Sequence, residues 1–204
     1  MKQLYRIKQR KTLFTTPSHS QKLALFSKLK QLYKYDISEV EAYNPQQALM
    51  ESQKRASKIY KTLSTHYLLN GSTSGVIAAV LACVNRNDKV LIWEKAHRCH
   101  ENAVKLAGGT SVHYKLEKDD KWGIYKDTPI DILQEGVKAV IVTSPTYYGI
   151  TSDIKSLKRE CEKYGAYLIV DEAHGALYPF GIRKSAIYQG ADFVIQSLHK
   201  TAGG

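Results

Sequence analysis

Three short segments of the 204-residue chain combine residue types that could do chemistry, and each follows an apolar run. The first is Asn70-Gly-Ser-Thr-Ser-Gly75, which opens a stretch with helical character. The first-turn amides of a helix are unpaired and the helix dipole favours an anion, so this segment is typical of a phosphate site. It lacks the Gly-Lys-Ser/Thr that ends a Walker loop, and it lacks the GxGxxG spacing of a dinucleotide site. A helix start capped by Ser or Thr would use the same residues.

The second segment places two acidic residues, Asp171 and Glu172, at the end of the apolar run 166–170. A buried carboxylate needs a cationic or hydrogen-bonding partner. A protonated ring nitrogen would be such a partner, so the segment predicts a carboxylate that binds a cationic ring. A metal ligand and a helix N-cap are the alternatives that these residues leave open.

The third segment is Ser197-Leu-His-Lys200, directly after the apolar run 192–196. A desolvated lysine at the end of an apolar strand suits Schiff-base chemistry. A solvated lysine after a strand is the alternative. Lys200 lies 29 positions after Asp171, so the fold has to bring the two side chains together.

Apolar runs alternate with helical stretches beyond residue 65, which predicts an α/β fold with a mostly parallel sheet flanked by helices. The predicted strands are 66–69, 89–93, 111–115, 139–143, 166–170 and 192–196, and the predicted helices are 74–84, 98–107, 130–134 and 153–164. Continuous β-branched and aliphatic blocks are typical of strands buried on both faces. Ligands bind at the carboxyl ends of such strands, which is where the three segments lie.

The first 65 residues are predicted to form an N-terminal helical segment, with helices at 21–33 and 45–63, and residues 66–204 form the α/β domain. No apolar run reaches the roughly 18 residues of a membrane span, and no apolar stretch follows the basic N-terminal residues, so neither a membrane span nor a signal peptide is predicted. We therefore expect a cytoplasmic protein that has no membrane partner.

The net charge and the cysteine positions bear on whether the chain binds nucleic acid or a metal, or forms disulfides. Thirty Lys and Arg against 19 Asp and Glu give a net charge of +11, but only the first eleven residues form a dense basic patch. No nucleic-acid partner is predicted, although binding through this patch is the alternative. The dispersed Cys83, Cys99 and Cys161 predict buried thiols rather than a disulfide framework or a metal site.

The order of phosphate loop, strand-end aspartate and strand-end lysine resembles the fold type I enzymes that depend on pyridoxal 5'-phosphate (PLP). More specifically, the chain resembles the major domain of the Orn/Lys/Arg decarboxylase family. Three further segments carry this resemblance: Cys99-His100, Ser144-Pro-Thr-Tyr147 and Asp36-Ile-Ser-Glu-Val40. Two segments depart from the pattern: Thr16-Pro-Ser-His-Ser20 lacks a glycine, and Glu101-Asn102 stands where many members have Lys-Ser.

The resemblance implies that PLP is the cofactor and assigns roles to the site residues. Lys200 would form the Schiff base, Asp171 would hold the pyridine nitrogen protonated, and His100 would stack on the ring face. The phosphate would be bound by Ser72, Thr73, Ser74, Ser197 and His199, while His174 would lie near the ring oxygen and Thr146 near the cofactor edge.

The resemblance also implies the reaction: decarboxylation of arginine, lysine or ornithine to its amine in polyamine metabolism, by a homodimer. In that family a further strand and a small domain follow, so the chain is expected to be a large domain truncated before them. An aminotransferase, a carbon–sulfur lyase and an inactive fragment are the alternatives.

Overall fold

The computed structural model describes residues 46–202, which form a five-stranded parallel sheet between two layers of helices. The strands are β1 (Lys89–Trp93), β2 (Thr110–Tyr114), β3 (Val137–Thr143), β4 (Tyr167–Asp171) and β5 (Phe193–Ile195). The helices are α1 (Gln47–Tyr60), α2 (Gly71–Cys83), α3 (Arg98–Leu106), α4 (Ile154–Lys163) and the one-turn α5 (Leu198–Thr201). Turns of 3-10 helix lie at Ile130–Ile132, Tyr178–Phe180 and Ala186–Gln189.

The strand order is β2-β1-β3-β4-β5, and every neighbouring pair is parallel. The chain leaves β1 toward β2 on one side, whereas β3, β4 and β5 follow on the other side. A crevice forms at such a switch point, beyond the carboxyl ends of the strands. The register aligns Asp171 with Thr143 on β3 and with Ile195 on β5, so these three positions share that edge.

The sheet has a buried core on each face, because successive side chains of a strand point to opposite faces. On one face, Val140 and Leu168 pack with Leu157 of α4. On the other face, Ile141 and Ile169 belong to the core that also contains residues of α2 and α3. Helices covering both faces explain why the strands are continuous apolar runs rather than alternating ones.

Five of the six predicted strands are present: β1 has the predicted ends, and the ends of the other four differ from the prediction by at most two residues. The prediction of a strand at 66–69 is wrong: the Tyr67 amide donates to Gln53 Oε1 at 2.8 Å, and no strand of the described residues includes this segment. Its backbone is held by a side chain of α1 instead of a neighbouring strand. The predicted helix at 130–134 is a single 3-10 turn, and the predicted helix at 21–33 lies outside the described residues.

All three cysteines are buried free thiols, as predicted. Within residues 46–202, no helix has both the length and the apolar character that a membrane crossing requires.

We expect Leu157→Ala to destabilise the fold by about 2–5 kcal/mol, because the side chain is 0% exposed between α4 and the sheet and its removal leaves a cavity. Leu106→Ala is the matched control, since Leu106 is 65% exposed and its truncation should change stability by about 0.5 kcal/mol or less. Urea unfolding measures both. Equal effects of the two variants would contradict this description of the core.

Candidate functional site

The site lies at the carboxyl edge of the sheet, where the end of β4 meets the first turn of α3 and the segment that contains α5. Asp171 is the last residue of β4 and points to the same face as Ile169, toward the layer of α2 and α3. The Asp171 carboxylate therefore lies near the N-terminal ends of α2 and α3 and is largely removed from solvent.

Asp171 is the electrostatic centre of this edge. Its Oδ2 atom lies 2.9 Å from His100 Nε2, and its Oδ1 atom accepts the Ala173 amide at 3.1 Å. Burial raises the pKa of the Asp171 carboxyl, but His100, the Ala173 amide and the charge of Lys200 together hold the pKa below its usual value. The group is therefore a carboxylate, and His100 Nε2 carries the proton that it donates.

His100 does not lie where the sequence predicted. Its side chain is 0% exposed and binds Asp171 through the ring edge, so no ring face is available for a cofactor to stack on. The helical pattern explains the placement, because Cys99, Ala103 and Val104 share with His100 the buried face of α3. His100 supports Asp171, and the expected stacking role does not fit this geometry.

His97 is an imidazole that the sequence analysis did not single out. It is exposed and caps α3, where its side chain accepts a hydrogen bond from the Cys99 amide at 3.3 Å. The helical spacing of α3 gave no signal for it, because His97 is the N-cap residue that precedes the helix and stands three positions before the buried His100. The exposed His97 presents an accessible ring at the same edge of the sheet.

Lys200 lies in α5 with its Nζ atom 3.2 Å from His174 Nε2. The His174 ring also makes an edge contact with Tyr147, with the ring centroids 5.5 Å apart. Burial and the charge of Lys200 lower the pKa of His174, although Asp171 opposes them. A neutral His174 can accept a hydrogen bond from the Lys200 ammonium.

The predicted phosphate loop forms the first turn of α2. Gly71 begins this helix with a φ of +72°, and Ser74 Oγ donates to the Gly71 carbonyl at 2.7 Å. The N-cap residue Asn70 makes no side-chain hydrogen bond to the helix, so it leaves the first-turn amides free for an anion. Ser72 is half-buried, and Thr73 is exposed.

Gly75 lets α2 approach the end of the sheet closely. A Cβ atom at this position would lie 2.8 Å from Leu68 Cδ1 and 3.0 Å from Ile195 Cγ2. Ile195 is two residues before Ser197, so this contact holds the start of α2 near the segment that carries Lys200.

The positions of Ser197, His199 and Thr146 do not test the cofactor contacts that were predicted for them. Ser197 precedes α5 without a side-chain capping bond, and His199 is exposed. Thr146 Oγ1 accepts the amides of Tyr148 and Ile150, each at 3.3 Å, and so closes its own turn. The cofactor contacts expected of these residues stay predictions.

Thr143 is a second residue that the sequence analysis did not single out. Its hydroxyl is buried at the end of β3, beside Asp171 in the register, and has no hydrogen-bond partner among the described residues. A buried polar atom of this kind costs free energy unless a bound group satisfies it.

A metal site is a poorer interpretation of this edge. Ligand atoms of Cys99, His100 and Asp171 lie within 4.8 Å of one another. However, burial and the charge of Asp171 outweigh the Thr73 hydroxyl and Lys200 and raise the pKa of the Cys99 thiol to about 11. A neutral thiol beside an imidazole–carboxylate hydrogen bond is a poor ligand set, since metals bind the thiolate.

A family model described as Orn/Lys/Arg decarboxylase, major domain, matches residues 7–204 of the chain. The uncharacterized protein YaaO of Bacillus subtilis (strain 168) is 30% identical over 206 residues, which cover 92% of this chain and 42% of YaaO. An arginine decarboxylase of Halalkalibacterium halodurans is 25% identical over 169 residues, 79% of this chain and 34% of that enzyme. The chain thus spans less than half of the length of these curated relatives.

The solved structure of an aspartate aminotransferase from Thermotoga maritima covers 99% of this chain with a TM-score of 0.63, at 19% identity. The match covers 58% of the aminotransferase chain. At this identity the likeness shows the fold alone, and it confirms the predicted class: a mostly parallel α/β sheet like that of a fold type I transferase.

We expect Asp171→Asn to destabilise the chain by about 1–3 kcal/mol at pH 7, because an amide nitrogen replaces one of the two oxygens that accept from His100 and Ala173, and the charge-assisted bond with His100 is lost. Folding lowers the pKa of Asp171, so its contribution is present above the unfolded-state value and is lost as pH falls through the folded value. The difference between wild type and variant should therefore shrink below about pH 4.

Urea unfolding at pH 7 and at pH 3 measures this difference, with exposed Asp127→Asn as the matched control. A difference that does not change with pH would show that Asp171 is not held as a carboxylate.

Proposed function

The chain belongs to the Orn/Lys/Arg decarboxylase family, and on this premise we propose that it binds PLP and serves the decarboxylation of a basic amino acid. The observation that carries the proposal is the buried Asp171 carboxylate, held by His100 at the same sheet edge as Lys200. Arginine, lysine and ornithine are the candidate substrates, and the arginine decarboxylases among the relatives favour arginine.

The residues present fit the cofactor. Asp171 has one protein donor on each oxygen, so lone pairs remain for a protonated ring nitrogen. The unpartnered Thr143 hydroxyl lies beside it in the register, where a bound group could satisfy it. The first turn of α2 offers uncapped amides to a phosphate.

When bound, PLP supplies an electron sink and a carbon that bonds covalently to amines. Asp171 would keep the ring nitrogen protonated, and His100 would hold Asp171 in its charged form through the Nε2–Oδ2 bond. Lys200 would bind the cofactor covalently through Nζ, and His174 would accept a proton from that atom across 3.2 Å.

The phosphate would be bound at the start of α2, by the free amides together with the Ser72 and Thr73 hydroxyls. Ser74 would contribute its amide, since its hydroxyl already donates to the Gly71 carbonyl. The half-buried Ser197 and the exposed His199 would close the phosphate site from the side of α5.

His97 replaces His100 as the candidate for the ring face. Its imidazole is exposed at the carboxyl end of β1, whereas the ring of His100 is wholly enclosed. An accessible imidazole can cover a flat ring and exclude water from it.

Lys200→Ala should abolish covalent attachment of PLP. After incubation with PLP and reduction with borohydride, wild-type chain should gain the mass of one phosphopyridoxyl group on the peptide that contains Lys200. Lys155→Ala, an exposed lysine of α4, is the control and should label as wild type. Equal labelling of many lysines, or full labelling of the Lys200→Ala variant, would contradict the assignment.

PLP-loaded chain should release carbon dioxide and the corresponding amine from arginine, lysine or ornithine, and should form no keto acid. The product decides the chemistry, because an aminotransferase or a carbon–sulfur lyase would use the same Asp171 and Lys200. A keto acid without carbon dioxide would overturn the decarboxylase assignment while leaving cofactor binding intact. Absence of any amine from all three substrates would count against catalysis by this chain.

A further inference from the structure

Glu172 follows Asp171 directly but serves a different part of the molecule. Its side chain is 1% exposed and accepts three hydrogen bonds, each 2.7 Å long, from Ser185 Oγ, the Ala186 amide and Gln196 Nε2. No cation shares this cluster, since Glu172 makes no ion pair within residues 46–202. A buried carboxylate that receives three neutral donors joins the segments that supply those donors.

All three donors lie in the chain between His174 and the proposed reactive lysine, Lys200. Gln196 is four residues before Lys200, and the Glu172 amide donates to the carbonyl of Ile195 at 2.9 Å. Both the backbone and the side chain of Glu172 therefore hold the end of β5, from which the lysine segment starts.

Glu172 also fixes the turn that carries His174. Its carbonyl accepts the Gly175 amide at 2.8 Å, which closes the turn around His174. A Cβ atom at Gly175 would lie 2.6 Å from Glu172 Cγ, so the turn packs directly on the Glu172 side chain. The two members of the Lys200–His174 contact are thus each anchored to the same glutamate.

We propose that Glu172, acting through Gln196, is a positioning residue that sets the place of the Lys200 amine relative to His174. The inference deepens the proposed function and rests on it only in taking Lys200 as the reactive amine. Among the described residues, Glu172 makes no hydrogen bond or ion pair with Lys200 or with the Asp171 carboxylate, so its influence passes through Gln196, the Ile195 carbonyl and the turn at Gly175.

The test exchanges the hydrogen-bonding groups of Glu172 and Gln196. Gln196→Glu places a second buried carboxylate against Glu172, and Glu172→Gln combined with Gln196→Glu restores a donor–acceptor pair in the opposite direction. Gln196→Met keeps the side-chain length and removes the amide group that donates to Glu172, so it decides the question if Gln196→Glu fails to fold. Gln134→Glu, at an exposed glutamine, is the matched control.

Two measurements on the cofactor-free chain report on the lysine segment. Amide hydrogen exchange of residues 196–202 should become about tenfold faster in Gln196→Glu and Gln196→Met, the factor expected when one buried hydrogen bond is lost. Acetylation of Lys200 by acetic anhydride, measured by peptide mass spectrometry, should rise toward the rate of exposed Lys155. The double variant should recover most of the wild-type behaviour in both measurements, and Gln134→Glu should match wild type.

The outcomes separate this inference from the function it rests on. Unchanged local exchange and unchanged Lys200 acetylation in a folded Gln196→Met chain would overturn the positioning role, even if global stability fell. If the predicted changes occur but PLP never attaches to Lys200 in wild type, the proposed function fails and the anchoring of the segment stands.

Discussion

The structure of this edge depends on one constraint: a carboxylate removed from water at the end of a buried strand must be compensated by donors that are already in place. Asp171 meets this constraint through the His100 ring and the Ala173 amide. To bring them there, α3 must bury its first turn against the sheet, and the chain must turn sharply after β4. The position of Asp171 between α3 and the end of the sheet follows from these requirements.

Because side chains alternate between the two faces of a strand, the adjacent Asp171 and Glu172 have different hydrogen-bond partners. Asp171 continues the direction of Ile169 and reaches the α2–α3 layer, where it binds His100. Glu172 is satisfied by Ser185, Ala186 and Gln196, all of them internal groups. One residue step thus separates a carboxylate held by α3 from a carboxylate that joins the segments after β4.

The sequence was sufficient to predict the order of strands and helices, because continuous apolar blocks and helical periodicity both report burial. It was also sufficient to place Asp171 and Lys200 at one edge, since parallel strands end together. The sequence was not sufficient to predict the position of the His100 ring. The motif suggested that His100 contacts the cofactor ring, whereas the helical spacing of α3 places it on the buried face. The segment 66–69 was mistaken for a strand because an apolar run does not reveal whether a pairing strand exists; Gln53 of α1 takes its amide instead.

The residues that contact each other around Lys200 are fewer than 30 positions apart in the sequence. Lys200 and His174 are 26 positions apart, Gln196 and Glu172 are 24 apart, and Ser185 and Glu172 are 13 apart. The His100–Asp171 bond spans 71 positions, the largest sequence separation of any side-chain hydrogen bond among the described residues. Lys200 is thus placed by contacts within residues 171–200, whereas the Asp171 carboxylate depends on α3, which precedes it in the chain by two strands. A substitution in the first turn of α3 therefore acts on the carboxylate directly, whereas no hydrogen bond among the described residues links that turn to the amine.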